Sequence, residues 1–387
     1  MNTRLRTLQS SLARPILIKK KENLFYLTGR SFDYRAEEYL LVTKKDVVGF
    51  GSGLEQIDWV KKSDRLKNIG QYIKSKKLDI EWGFTFGEAK YLRYKIKDSG
   101  FKIKIQPARS PVDVMRQFKT QKELVLIRTN MRMVEKVFEK VKRKLRKEGA
   151  KGRFTERALA EFIKKEGFAL GAEDVAFPPI VASGVNAAIP HHVPSSKKLK
   201  PGESIIIDFG FSAKGGSAFG GKLPGYCSDF TRTVFLKRVP SRLEKAYIQV
   251  EKAYLESIRF IEYPSPNPSR QGRGIRRFPP RGWREGKGGV IAGDVYQKAV
   301  DVLAEAKLDK YFIHSLGHGT GLEIHELPNL SPGSKDVLKD NMVFSIEPGV
   351  YIKGLGGIRI EDLVYLEQGK VQKFISVPTL LKNNILI

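Results

Sequence analysis

Between about residues 14 and 106, short apolar runs (RPILIK, EYLLVT, DVVGF, FKIKIQP) alternate with two stretches, Trp59 to Lys76 and Glu88 to Asp98, that read as helical. The runs predict strands, and strands alternating with helices predict a small mixed α/β domain. After SPVDVMRQFKT, the apolar residues Val134, Val137, Val141 and Leu145 recur every three or four positions, predicting one long helix over Gln121 to Glu148 that leads into a second domain. Beyond Thr155 the pattern gives helix, strand, helix and then several strands with tight glycine turns, an α+β arrangement. The expected organisation is therefore a domain over residues 1–115 followed by one over 116–387.

Two stretches break this order. FSAKGGSAFGGKLPGY, Phe211 to Tyr226, is glycine-rich, and EYPSPNPSRQGRGIRRFPPRGWREGKGG, Glu262 to Gly289, is rich in Pro, Gly and Arg with almost no periodicity. Such compositions cannot bury a core. Both read as insertions, near 213–223 and 262–289.

Composition changes the picture little. With 387 residues, 41% hydrophobic, the chain can fill two cores. No apolar run suits a signal peptide or a membrane span, so no membrane partner and a cytoplasmic location are expected. The single cysteine, Cys227, excludes an intrachain disulfide and a cysteine-built zinc site, and reads as a packed thiol. A formal charge of +28 invites a nucleic-acid reading, but the basic residues are spread out, and KVKRKLRKEG lies mostly on the solvent face of the long helix. Nucleic acid is not the expected partner.

The candidate chemistry lies in the second domain. HSLGHGTGLEIHE, His314 to Glu326, holds three of the five histidines. Its glycines disfavour a helix by about 1 kcal/mol each, so it reads as a strand entering a glycine turn, with His314 and His318 pointing the same way and His325 beyond the turn. Asp208 ends the strand GESIIIDFG; Asp229, Thr231 and Thr233 share a face of YCSDFTRTVF; Arg359, Glu361 and Leu363 share a face of GGIRIEDLVYL. The turn KGLGG joins that last strand to MVFSIEPGVYI as a hairpin, which makes Glu347 and Glu361 neighbours. Like charges in contact repel by about 4 kcal/mol per pair at roughly 4 Å and an effective dielectric of about 20, so something cationic must sit among them. Arg359 and Arg232 are the nearby cations in sequence, and Arg232 alternates away from Asp229. One or two metal ions satisfy four carboxylates better.

The ordered set IIIDFG, YCSDFTRT, HSLGHGTGLEIHE, FSIEPGVYI and GIRIED resembles the pita-bread-fold metallopeptidases, specifically the Xaa-Pro aminopeptidase and prolidase branch. The resemblance implies a C-terminal pita-bread (creatinase/aminopeptidase) fold behind a smaller creatinase-like N-terminal domain, and a homodimer. It implies that Asp208, Asp229, His318, Glu347 and Glu361 hold two divalent ions (Mn, Co or Zn), with Asp229 and Glu361 bridging. It implies His191 and His325 as substrate contacts, His192 as an outward-facing neighbour, and His314 as a residue that orients the ligands. Glu347 would serve as the general base, and Xaa-Pro peptides would be the substrates.

Two departures bear on function. Asp208 and Asp229 lie roughly twice as far apart as is usual in the family, because of the first insertion. In the dipeptidase branch an arginine commonly follows the His-Glu-x-Pro turn; here the residue is Asn329. An amide cannot form a bidentate carboxylate clamp, which favours an aminopeptidase acting on longer peptides over a prolidase. A non-catalytic relative binding nucleic acid or protein is the rival from another class, disfavoured because all five ligand positions are present.

Overall fold

A computed structural model describes residues 3–30, 37–54, 57, 60–63, 66–98, 100–149, 154–213, 225–263 and 289–386. Contacts divide the chain into two compact units, one built on Met1–Arg116 and one on Gln117–Ala213 with Gly225–Ile387.

The first unit is a six-stranded sheet in the order Lys61–Ser63, Val47–Phe50, Tyr39–Val42, Ile16–Ile18, Lys77–Glu81, Lys104–Ala108. The last three strands run parallel to one another, and Tyr39–Val42 is antiparallel to both of its neighbours. Leu17, Leu41, Val48, Leu78 and Ile80 pack with Leu92 and Ile96 of the helix Phe86–Asp98. The four apolar runs form strands as expected, whereas the described residues between Trp59 and Lys76 do not form the expected α-helix. In its place stand the short strand Lys61–Ser63 and a 3₁₀ helix, Leu66–Tyr72. Three residues per turn put Leu66, Ile69 and Tyr72 on one side, against the sheet's core. Gly70 fits beneath the Phe101 ring, where any Cβ would stand 2.2 Å from a ring carbon.

The second unit opens with the helix Gln121–Glu148, as the periodicity predicts. Thr120 and Glu123 form a reciprocal capping box at its start, and Leu124, Ile127, Met131, Val134, Phe138, Val141 and Leu145 form its buried stripe. The main sheet runs in the order Glu326–Leu330, Gly317–Gly319, Val343–Ile346, Glu361–Glu367, Phe230–Leu236, Ser204–Asp208, Ile180–Ser183, antiparallel between neighbours along this path. Helices Ser241–Glu262 and Ala292–Glu305 pack on each other and on the sheet through Tyr247, Val250, Tyr254, Val295 and Val302. On the helix Gln121–Glu148, Phe138 meets Phe230 edge-on at 5.1 Å.

The first proposed insertion falls outside the described residues except at its base, where Phe211–Ala213 and Tyr226–Cys227 pair as antiparallel strands. The second lies almost wholly outside them.

Candidate functional site

Strand alternation carries acids from three strands to one place. Thr231 pairs with both Asp208 and Glu361 across the sheet, which sets Asp208 and Glu361 on the strands either side of Phe230–Leu236, with Asp229 just before that strand begins. Glu347 comes from the hairpin. Its outer arms pair Gly349 with Arg359, its inner arms pair Ile346 with Asp362, and the shared register sets Glu347 across from Glu361. The turn that makes this possible runs through Gly354 and Gly356 at φ 77° and 145°, conformations that L side chains resist.

His318 joins the cluster from the strand Gly317–Gly319. Its Nε2 lies 3.5 Å from Asp229 Oδ2 and 3.4 Å from Glu347 Oε1, and Asp229, His318 and Glu361 each offer a ligand atom within 4.8 Å of the others. Ser345 Oγ accepts from the His318 N–H and donates to Glu347 Oε1. The His325 ring meets that of His318 edge-on at 4.3 Å. His191, exposed on the loop after Gly184–Ala188, is near enough to influence the proton affinity of Asp208, His314 and His325.

The electrostatics are those of crowded acids. Burial raises the proton affinity of all four carboxyls. Asp229 and Glu361 are driven well above the usual range, by burial first and then by their acidic neighbours. Burial also raises Asp208 and Glu347, although Arg359 offsets part of it for both. Burial lowers His318, His314 and His325, which favours neutral imidazoles able to ligate or to donate one hydrogen bond. Asp208 Oδ1 is buried without a hydrogen-bond partner among the described residues. Carboxylate oxygens, one imidazole nitrogen and an orphaned buried oxygen suit a hard or borderline divalent cation, so the residues fit a metal centre.

Three outcomes differ from, or add to, what the motifs suggested. His192 does not face outward: its Nε2 lies 2.8 Å from the carboxylate of buried Glu156, while the neighbouring His191 is the exposed one. A buried acid in need of donors outweighs the outward preference expected of a polar loop residue. His314 lies outside the short strand Gly317–Gly319, so the shared strand face expected for it and His318 does not exist; its Nε2 instead meets the Tyr351 hydroxyl at 2.9 Å. Arg359, weighed only as a counter-cation, hydrogen-bonds Asp208 and donates to the Tyr351 hydroxyl at 2.7 Å, so Asp208, Arg359, Tyr351 and His314 form one chain. Tyr351 carried no signal in sequence. Thr231 did, through the alternation of YCSDFTRT, and its hydroxyl donates to Glu361 at 2.6 Å.

Asn329 is exposed and pairs with His318 across the antiparallel ladder, so the two side chains start from the same face. Its neighbour Glu326 forms a buried ion pair with Lys119 at 3.2 Å. Cys227 is a buried thiol whose backbone N–H bonds Gly321 O at 2.7 Å. Arg232 does point away from the cluster, into a buried pair with Asp362 at 2.7 Å. No helix among the described residues is long and apolar enough to cross a membrane.

The sequence profile of Metallopeptidase family M24 matches residues 125–275 and 281–368. A Mycoplasma pneumoniae protein provisionally named a Xaa-Pro aminopeptidase is 30% identical over 377 residues, covering 94% of this chain and 92% of its own. A Xaa-Pro dipeptidase of Pyrococcus horikoshii is 30% identical over 361 residues, covering 91% and 89%. Among solved structures, the prolidase from Pyrococcus horikoshii OT3 superposes with a TM-score of 0.77 at 26% identity over 98% of this chain and all of its own.

Proposed function

The chain belongs to metallopeptidase family M24 and has its pita-bread fold, and we propose that it is an Xaa-Pro aminopeptidase, releasing the N-terminal residue from peptides with proline second. That it is a metallopeptidase with Xaa-Pro peptidase relatives follows from the family and the two full-length matches. The observation that favours longer peptides over dipeptides is Asn329, an uncharged residue on the His318 face where a carboxylate clamp would need a guanidinium.

In this reading Asp208, Asp229, His318, Glu347 and Glu361 would hold two divalent ions. When bound, such ions supply Lewis-acid polarisation of the scissile carbonyl and a water of lowered pKa. Glu347, whose proton affinity burial raises, takes a proton from the attacking water and returns it to the leaving amine. His191 and His325 donate hydrogen bonds to the substrate carbonyl as its oxygen gains charge. A proline nitrogen has no N–H and fixes φ, so strand-like substrate pairing is lost and a dedicated pocket must replace it.

The domain division at 115/116 is supported by the contact boundary after Arg116. The homodimer rests on the family resemblance alone.

The deciding assay compares an Xaa-Pro dipeptide with an Xaa-Pro-Xaa tripeptide in Mn²⁺, Co²⁺ or Zn²⁺. Higher kcat/KM on the tripeptide supports the aminopeptidase. Preference for the dipeptide supports the second reading, a prolidase, which the Pyrococcus horikoshii relative favours.

A further inference from the structure

We propose that Glu156 and His192 act together as a positioning device for His191, fixing where its imidazole stands relative to the carboxylate cluster. The inference rests on reading His191 as a substrate contact.

Glu156 begins the helix Glu156–Ala169, has no exposed surface, and is far in sequence from the loop it holds. Oε1 accepts from the Ser183 N–H and hydroxyl, both at 2.8 Å, and from Asn186 Nδ2 at 3.1 Å. Oε2 accepts from the Ser195 N–H at 3.1 Å, the Ser195 hydroxyl at 2.6 Å and His192 Nε2 at 2.8 Å. One carboxylate therefore ties both ends of the segment 183–195 and two points within it. Burial alone would push its pKa up, yet donors from Ser195, His192 and Ser183 hold it down to about 2.

His191 sits between two anchors. On one side is His192, fixed to Glu156. On the other is the Pro190 carbonyl, which accepts from Arg359 Nη1 at 3.4 Å, the same guanidinium that holds Asp208. The backbone is further closed by the Asn186 carbonyl, which accepts from Ile189 N–H, and the Ile189 carbonyl, which accepts from His192 N–H, at 3.0 and 3.2 Å. An exposed side chain on an otherwise mobile kind of segment thus stands on a fastened backbone. Displacing a substrate contact by about 1 Å can cost up to about a hundredfold in rate, which is reason for a loop to be pinned at this point.

The test is a double-mutant cycle on tripeptide hydrolysis with His191→Ala, His192→Ala and their combination, alongside His192→Gln, which keeps a donor toward Glu156. Melting temperature and metal content are followed in each. His192→Ala should lower kcat/KM about tenfold at unchanged metal content, His192→Gln should recover most of it, and His192→Ala should cost nothing further once His191 is alanine. Wild-type activity in His192→Ala overturns the inference. So does a loss of equal size in the His191→Ala background, because a merely structural role would add. If His191→Ala is itself without effect, the reading of His191 as a substrate contact fails first and the inference falls with it.

Discussion

The second unit buries carboxylates in two opposite kinds of surroundings. Glu156 faces donors on every side and is held ionised, down to about 2. Asp208, Asp229, Glu347 and Glu361 are gathered together and largely shielded from water, and all four are raised. Burial pushes every one of these acids up; at Glu156 the donors outweigh it, whereas at the other four it prevails, helped by acidic neighbours at Asp229, Glu361 and Glu347. Asp362, one residue past Glu361 and on the opposite strand face, is a third case: Arg232 Nη2 and the Tyr254 hydroxyl both donate to it. A buried acid given its own donors is a fastening, and buried acids set against each other are a place for added positive charge.

If that contrast is right, taking away divalent cations should harm one set and spare the other. Treating the purified protein with a chelator should reduce hydrolysis of Xaa-Pro-Xaa peptides at least roughly 10³-fold, reversibly, while the far-ultraviolet circular dichroism stays unchanged. A smaller loss, at least roughly 10²-fold in kcat with the fold intact, is expected for Glu347→Gln. Asp229→Asn should instead lower metal content, read by elemental analysis, because it removes a negative charge from the group of Asp229, His318 and Glu361 that could hold a metal ion. Full metal occupancy in that variant would remove Asp229 from the proposed ligands.

The fastening should respond in the opposite way. Glu156→Gln replaces half of an acceptor-only group with an amide donor and leaves buried donors facing it, so it should cost about 3 kcal/mol in urea unfolding with little change in metal binding. The same carboxylate predicts a pH effect. Its folded pKa lies below the ordinary 4.5, so its contribution is present above that value and is lost as pH falls from about 4.5 toward 2. Acid unfolding of Glu156→Gln should therefore have a shallower pH dependence in that window. The crowded set has the reverse sign: with pKa values raised in the fold, it favours the metal-free folded state more as pH falls and opposes it as pH rises. Metal binding should reduce that alkaline penalty, seen as a melting temperature that gains more from added metal at pH 8 than at pH 5. Equal gains at the two pH values would break the comparison.

Much of the crowded set was legible in sequence, and almost none of the fastening was. Thr231 and Glu361 sit in strands, where a period of two assigns faces, Asp229 lies just before the strand of Thr231, and KGLGG announces the hairpin that brings in Glu347. Glu156 and His192 meet only because the helix Glu156–Ala169 and the loop at 183–195 fold against each other, and no local period reports that. The pairing of Arg359 with Asp208 is long-range in the same way. The 3₁₀ helix Leu66–Tyr72 was misread because apolar residues three apart fit the first turn of an α-helix equally well.

The smallest effect tests the rim of the site. Asn329→Arg should raise dipeptide kcat/KM relative to tripeptide about tenfold to a hundredfold, mainly through KM, since a charge-assisted pair with the proline carboxylate contributes about 1.5 to 3 kcal/mol. An unchanged ratio in an active variant would assign chain-length preference to another residue.

The central claim, that the crowded carboxylates and His318 form a two-ion peptidase centre, is tested most directly by titrating Mn²⁺ into the metal-stripped protein while following bound metal and tripeptide hydrolysis together. The account predicts activity that rises from near zero and levels off as about two ions bind per chain. Full activity without metal, or a protein that binds none at activating concentrations, would contradict it.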